Sequence, residues 1–186
     1  MRILLTGVSC VGKTTLGKML AERINHPFFD LDDEIEKYFG ESIERLQSCY
    51  LTGHTFRYRV GVVVLKDILL KRDSSDCVIA LPPSGLKDAY LGIIKKTDCI
   101  VIAIIDSPEN ILRRITLFDI DSNPIQKHIT DKDRDQYLKV IKKDIKYFGR
   151  TYQRAHLRVD IAGLSIKDSV CKIEEALQSY SLGNAK

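Results

Sequence analysis

No two cysteines in this chain are spaced as C-x-x-C, and the five present, at positions 10, 49, 77, 99 and 171, are odd in number and widely scattered. That pattern signals neither a disulfide framework nor a zinc site, so reduced thiols in a cytoplasmic protein are expected. Long hydrophobic runs are missing too. Ile3 to Leu5 is too short for a signal-peptide core and Cys99 to Ile105 too short to cross a bilayer, so a soluble, unexported protein with no membrane partner is expected. Nor is there a long block of one charge sign: 29 basic and 25 acidic residues are mixed along the chain, for a net charge of +4. Nothing here marks a nucleic-acid-binding arm, whereas a mild cationic excess suits a small anionic ligand. Repeats, linkers and low-complexity stretches are absent as well. A length of 186 residues fits one compact domain with a substantial core, and the expectation is a single monomeric domain, 1–186, with one site.

What the chain does have is a succession of short apolar runs: Arg2 to Leu5, Pro27 to Phe29, Cys77 to Leu81, Cys99 to Ile105 and, more weakly, Leu157 to Ile161. Runs apolar at successive positions fit strands buried on both faces, the habit of a parallel sheet covered by helices. Helical spacing appears between them, in Leu16, Met19, Leu20 and Ile24 over 14–24, and in Val170, Ile173 and Leu177 over 166–177. Alternating strand and helix predict a three-layer α/β fold with right-handed crossovers. Residues 119–135, DIDSNPIQKHITDKDRD, are poor in large apolar side chains and rich in charge. They read as a mobile excursion, either a solvated loop or a lid over the site, and the last residues, 183–186, are expected to fray.

Gly7-Val8-Ser9-Cys10-Val11-Gly12-Lys13-Thr14 fits G-x-x-x-x-G-K-[ST] without exception, between an apolar strand and an amphipathic helix, as that phosphate-binding loop requires. Its glycines let the backbone curl so that successive amides face phosphate oxygens, at the positive end of the following helix. Gly7, Ser9, Cys10, Val11, Gly12, Lys13, Thr14 and Thr15 are therefore the expected ATP-binding set. Lys13 supplies a mobile cation to the β- and γ-phosphates, the Thr14 hydroxyl a magnesium ligand and Thr15 an α-phosphate contact. Cys10 reads as a small tolerated side chain more than as a redox device.

Downstream stand Phe28-Phe29-Asp30-Leu31-Asp32-Asp33-Glu34-Ile35-Glu36, then Gly40-Glu41-Ser42-Ile43, then Phe56-Arg57. With the phosphate loop these segments resemble the shikimate kinase family, fairly specifically from Met1 to Arg57 and only architecturally beyond. The resemblance implies a five-stranded parallel sheet, a substrate-binding helical region over about 31–75, a lid over about 119–135, and ATP- and magnesium-dependent phosphoryl transfer to a hydroxyl of a small anionic metabolite. It implies that Asp30 sits near magnesium, that Asp32 bonds the acceptor hydroxyls and helps take a proton, that Arg57 grips the acceptor carboxylate, and that Arg114 stacks on adenine. The residues themselves agree in part, since carboxylates at a strand end beside the phosphate loop lie where parallel sheets hold ligands and arginine suits a carboxylate. Asp30 and Asp32 could equally cap the following helix, and Arg57 could be a solvated helix charge.

Several family features have no match. Ala80-Leu81-Pro82-Pro83-Ser84-Gly85 stands where the family has three glycines, and proline lacks an N–H and has a fixed φ. Asn123-Pro124 replaces an R-P pair in the lid, leaving Lys127, Lys132 and Arg134 as substitutes, and Val60 replaces a glutamate that would orient Arg57. A second acceptor-binding arginine has no exact counterpart, though Arg150 and Arg154 flank Tyr152. Two alternatives therefore stay open: a kinase for another acceptor, such as a sugar acid or nucleoside monophosphate, and a nucleotide-binding regulator without transfer.

Overall fold

The computed structural model describes residues 1–70, 76–126 and 129–184. Its central strand is β1 (Arg2–Thr6), whose side chains point alternately to the two sides of the sheet. Ile3 and Leu5 pack with Leu16, Leu20, Ile102, Val170 and Ile173 on one side. Leu4 packs with Ile35, Leu65, Ile68, Ile79 and Leu86 on the other. A strand covered on both faces needs an uninterrupted apolar run, and each leucine so buried contributes roughly 1.5–3 kcal/mol.

After β1 the chain forms α1 (Lys13–Arg23), β2 (Phe28–Asp30), α2 (Leu31–Phe39), α3 (Ile43–Ser48) and α4 (Gly53–Phe56). A π-helical turn (Arg57–Gly61) leads into α5 (Val62–Leu70), and β3 (Cys77–Ala80), α6 (Asp88–Ile94), β4 (Cys99–Ile105) and α7 (Pro108–Arg113) follow. Two short strands, β5 (Leu117–Phe118) and β6 (Pro124–Ile125), then precede α8 (Asp131–Tyr152), β7 (Leu157–Asp160) and α9 (Ile166–Asn184). The main sheet is parallel with the order β2-β3-β1-β4-β7, and Leu4 lies level with Ile79 on one neighbour and Val101 on the other. All five apolar runs are its strands, so their carboxyl ends share one edge, where open α/β sheets bind ligands.

The segment 119–135 departs from the expected irregular excursion. β5 and β6 form an antiparallel hairpin, closed by the Asp119 carboxylate, which accepts from the backbone N–H groups of Asp121 and Asn123 at 2.9 Å each. Ser122 takes the left-handed conformation at φ 60°. Helix α8 begins inside the same segment because Thr130 and Asp133 cap it reciprocally. These are local turn and cap signals that a search for apolar periodicity passes over. At the other end, α9 runs on through Gly183 to Asn184, while 185–186, Lys127 and the last five positions of 31–75 lie outside the described residues.

The helical region is fixed to the rest by a close approach. A Cβ added to Gly61 would overlap the Tyr90 hydroxyl and stand 2.7 Å from Tyr90 Cζ. Tyr90, only 1% exposed, has no room to retreat. Gly61→Ala should therefore cost about 1–3 kcal/mol in urea unfolding, with part of it recovered when Tyr90→Phe is added; equal stability of Gly61→Ala and the parent would show the contact to be slack.

Candidate active site

Beyond β1 the backbone curls tightly. A Cβ at Gly7 would stand 2.7 Å from the Ile104 carbonyl of β4, and Gly12 takes φ 108°, a conformation open to glycine. Cys10 is left-handed as well, at φ 58°, a strained state that non-glycine residues keep where the surroundings enforce it. Val8 and Val11 are buried and anchor the loop while Ser9 stays exposed. Gly12 gives α1 no side-chain cap, so the first-turn amides point into the loop mouth and make an anion cradle. Lys13 Nζ closes it, donating to the carbonyls of Gly7 at 3.1 Å and Val8 at 3.0 Å. Thr15, one residue beyond Thr14, is exposed.

Opposite the loop stands the end of β2. The Thr14 hydroxyl donates to Asp30 Oδ2 at 2.6 Å, and Asp30 Oδ1 accepts from the Asp32 N–H at 3.2 Å. Asp30 thus caps α2 and meets the phosphate loop at once, so the cap leaves its second oxygen facing that loop. The Thr14 and Asp30 oxygens are the hard donors that suit magnesium. Asp32, half-buried in the first turn of α2, has its carboxyl pushed up to about 7, chiefly by desolvation and then by the Asp30 charge, with Lys13 opposing. The Lys13 ammonium is itself pulled down by burial, against the fields of Asp32 and Asp30. A buried cation and a proton-retaining carboxyl side by side is an arrangement suited to acid–base work.

Arg57 opens the π-helical turn, a distortion that often marks functional sites. Its Nε is buried and has no hydrogen-bond acceptor among the described residues, while the residue as a whole is half-buried. Val60, on the same turn, is fully buried and apolar, so it gives the guanidinium no carboxylate. Leaving such a donor unsatisfied costs about 1–3 kcal/mol, a cost that an anionic ligand would offset. Burial raises the Tyr90 phenol pKa, with Asp32 adding to the rise and Arg57 opposing it, so the three side chains share one neighbourhood.

The remaining sequence candidates are spread more widely. Arg114 donates to the carboxylate of Asp106 at the end of β4, and Asp106 also accepts from Ser107 N at 2.7 Å and Asn110 Nδ2 at 2.9 Å. The guanidinium is fixed at the binding edge with part of its surface open to solvent. Arg150 is exposed on α8, and Arg154 turns to the Leu86 carbonyl at 3.0 Å and to Asp88. Asn123 faces Asp119 within its own hairpin, and Lys132 and Arg134 are exposed in the first turn of α8. The hairpin tip docks on the helical region: Ser42 Oγ donates to the Ile120 carbonyl, Arg45 pairs with Asp121 at 2.7 Å, and Ser122 Oγ meets Glu36 and Glu44.

The sequence reading missed Tyr90, Asp106, and a contact between Lys87 and Tyr147 in which the ammonium donates to the phenol. Lys87 carries a signal in retrospect, being the first basic residue after β3.

The Asp32 carboxyl keeps its proton in the fold up to about pH 7 but loses it around pH 4 when unfolded, so between those values the folded chain binds the extra proton. The stability it contributes is full below about pH 4 and lost as the pH rises through about 7. Without ligands, the wild type should lose urea stability relative to Asp32→Asn between pH 5 and pH 8; parallel pH profiles would contradict the assignment.

Comparison with known proteins follows this geometry. The family model for shikimate kinase matches residues 9–177. A shikimate kinase of Aquifex aeolicus is 37% identical over 73 residues, 39% of this chain and 42% of that enzyme. The shikimate kinase of Salinibacter ruber is 29% identical over 185 residues, 97% of this chain and 86% of that one. The structure of shikimate kinase from Acinetobacter baumannii in complex with shikimate superimposes with a TM-score of 0.72 at 24% identity, over 96% of this chain and 93% of that one. The family model covers most of the chain, and the chain belongs to the shikimate kinase family of small-molecule kinases.

Proposed function

We propose that this chain transfers the γ-phosphoryl group of ATP, with magnesium, to a hydroxyl of shikimate. The observation that carries the reading is Arg57, whose buried Nε–H has no acceptor among the described residues and whose charge, like that of Asp32, acts on Tyr90. A polyhydroxylated carboxylate satisfies both: Arg57 takes the carboxylate and Asp32 a hydroxyl. The loop amides hold the phosphates, and Lys13 exchanges the Gly7 and Val8 carbonyls for β- and γ-phosphate oxygens. Thr14 and Asp30 would hold magnesium, which neutralises phosphate charge. Asp32 accepts the proton of the attacking hydroxyl as the new O–P bond forms and the bond to ADP breaks, and its raised proton affinity suits that role near neutrality. Phosphoryl transfer asks little more of a protein than alignment and charge neutralisation. Arg114, steadied by Asp106, offers a flat cation to the adenine ring. The same reading makes the chain a cytoplasmic monomer, and among the described residues no helix is long and apolar enough to cross a membrane.

The test is shikimate-stimulated release of ADP from magnesium ATP. Lys13→Ala should lower turnover by about 100-fold or more, the usual loss when a transition-state charge partner is removed. Arg57→Ala should raise the KM for shikimate about ten- to hundredfold and leave that for ATP in place. A wild type whose ADP release ignores shikimate would reject the acceptor and favour the regulator reading.

A further inference from the structure

Helix α8 lies loosely over the sheet. A cavity of about 220 Å³ lies between it and strands β4 and β7, with Val8 of the phosphate loop, Ile105, Ile145 and Tyr152 among its apolar walls. Few gaps larger than a water molecule remain in protein interiors. Gly149 of α8 keeps this one open: it lines the cavity, and a Cβ there would meet no atom within 4 Å. It sits inside a regular helix, outside the left-handed region. Neither a special φ nor a close approach therefore demands glycine, which weakens a helix about fivefold against alanine. What its missing side chain preserves is room.

The polar groups around that room are unequally satisfied. Asp106 is matched, since its carboxylate accepts from Ser107 N, Asn110 Nδ2 and the Arg114 guanidinium. Arg158 of β7 also lines the cavity, is exposed, and among the described residues has no hydrogen bond or ion pair. Asp160, two residues along the same strand, accepts instead from the Ala162 N–H at 2.9 Å. An apolar cavity of about 150 Å³ is enough to hold benzene. A larger one with a free guanidinium beside it suits a ring that carries a carboxylate, which arginine's paired donors match. Lys13, Asp32 and Arg57 are not among the residues lining it.

We propose that this cavity is an effector site for a small carboxylic acid with an apolar ring or branched body, separate from the nucleotide and acceptor sites. The carboxylate takes Arg158 and the apolar body fills the space in front of Gly149. The occupant touches Val8 of the phosphate loop and borders Asp106, which holds Arg114, so its binding is coupled to that of the nucleotide.

Benzoate is the probe and benzamide, its neutral counterpart, the control, each titrated into the full chain by amide NMR with and without saturating shikimate and an unreactive ATP analogue. Shifts should gather at Val8, Asp106, Ile145 and Gly149, with benzoate bound about tenfold or more tighter than benzamide, the usual margin for a charged hydrogen bond. Arg158→Met should erase that margin. Gly149→Leu should block both probes while raising thermal stability, because leucine fills the space and favours the helix. Saturating benzoate should shift the Kd of the ATP analogue about fivefold or more in the wild type and leave it in place in Gly149→Leu. Displacement of benzoate by shikimate or by the analogue would put it in the active site. That result, equal binding by Gly149→Leu, no binding by the wild type, or an analogue Kd indifferent to benzoate would each overturn the proposal.

Discussion

The site depends on how closely α1 approaches β2. Thr14 is on the helix that follows β1 and Asp30 ends β2, two strands separated in the sheet by β3, and their 2.6 Å hydrogen bond exists because α1 lies low across β3. Gly17 permits it: a Cβ there would stand 2.5 Å from the ring of Phe28 and 3.1 Å from Leu5. Once the helix is at that depth, Lys13 falls within the field of Asp32 and the phosphate cradle faces the acid pair. The charges of Lys13, Asp30 and Asp32 are thus placed by packing between a glycine, a phenylalanine and a leucine.

That packing explains what sequence could and could not reveal. The nucleotide half was legible because its motif is local: Gly7 to Thr14 occupies one strand-to-helix turn, and backbone geometry dictates the glycines. The parallel sheet was legible because β1, β3 and β4 are buried on both faces and must be apolar throughout. The capping role of Asp30 was legible, since capping needs a short acid before a helix, whereas its hydrogen bond with Thr14 comes from tertiary packing. The segment 119–135 was half legible. Its charge marked an excursion, but the hairpin is made by Asp119 reaching Asn123, and its docking on Glu36, Ser42, Glu44 and Arg45 joins residues some eighty positions apart.

The acceptor half resisted reading for the same reason. Arg57 stands out because its Nε is buried without an acceptor among the described residues, a property of tertiary packing that a helix charge in a sequence does not disclose. The contact of Lys87 with Tyr147 and Phe148 of α8 likewise joins residues some sixty positions apart.

The central claim is that acceptor and nucleotide meet between Arg57, Asp32 and Lys13. It is tested most directly by a crystal structure of the chain with shikimate, magnesium and an unreactive ATP analogue. The account predicts the acceptor carboxylate within about 3 Å of Arg57 Nε and a ring hydroxyl at similar distance from Asp32, turned toward the terminal phosphate held by Lys13. Shikimate bound away from Arg57, or Lys13 still resting on the Gly7 and Val8 carbonyls with nucleotide present, would contradict it.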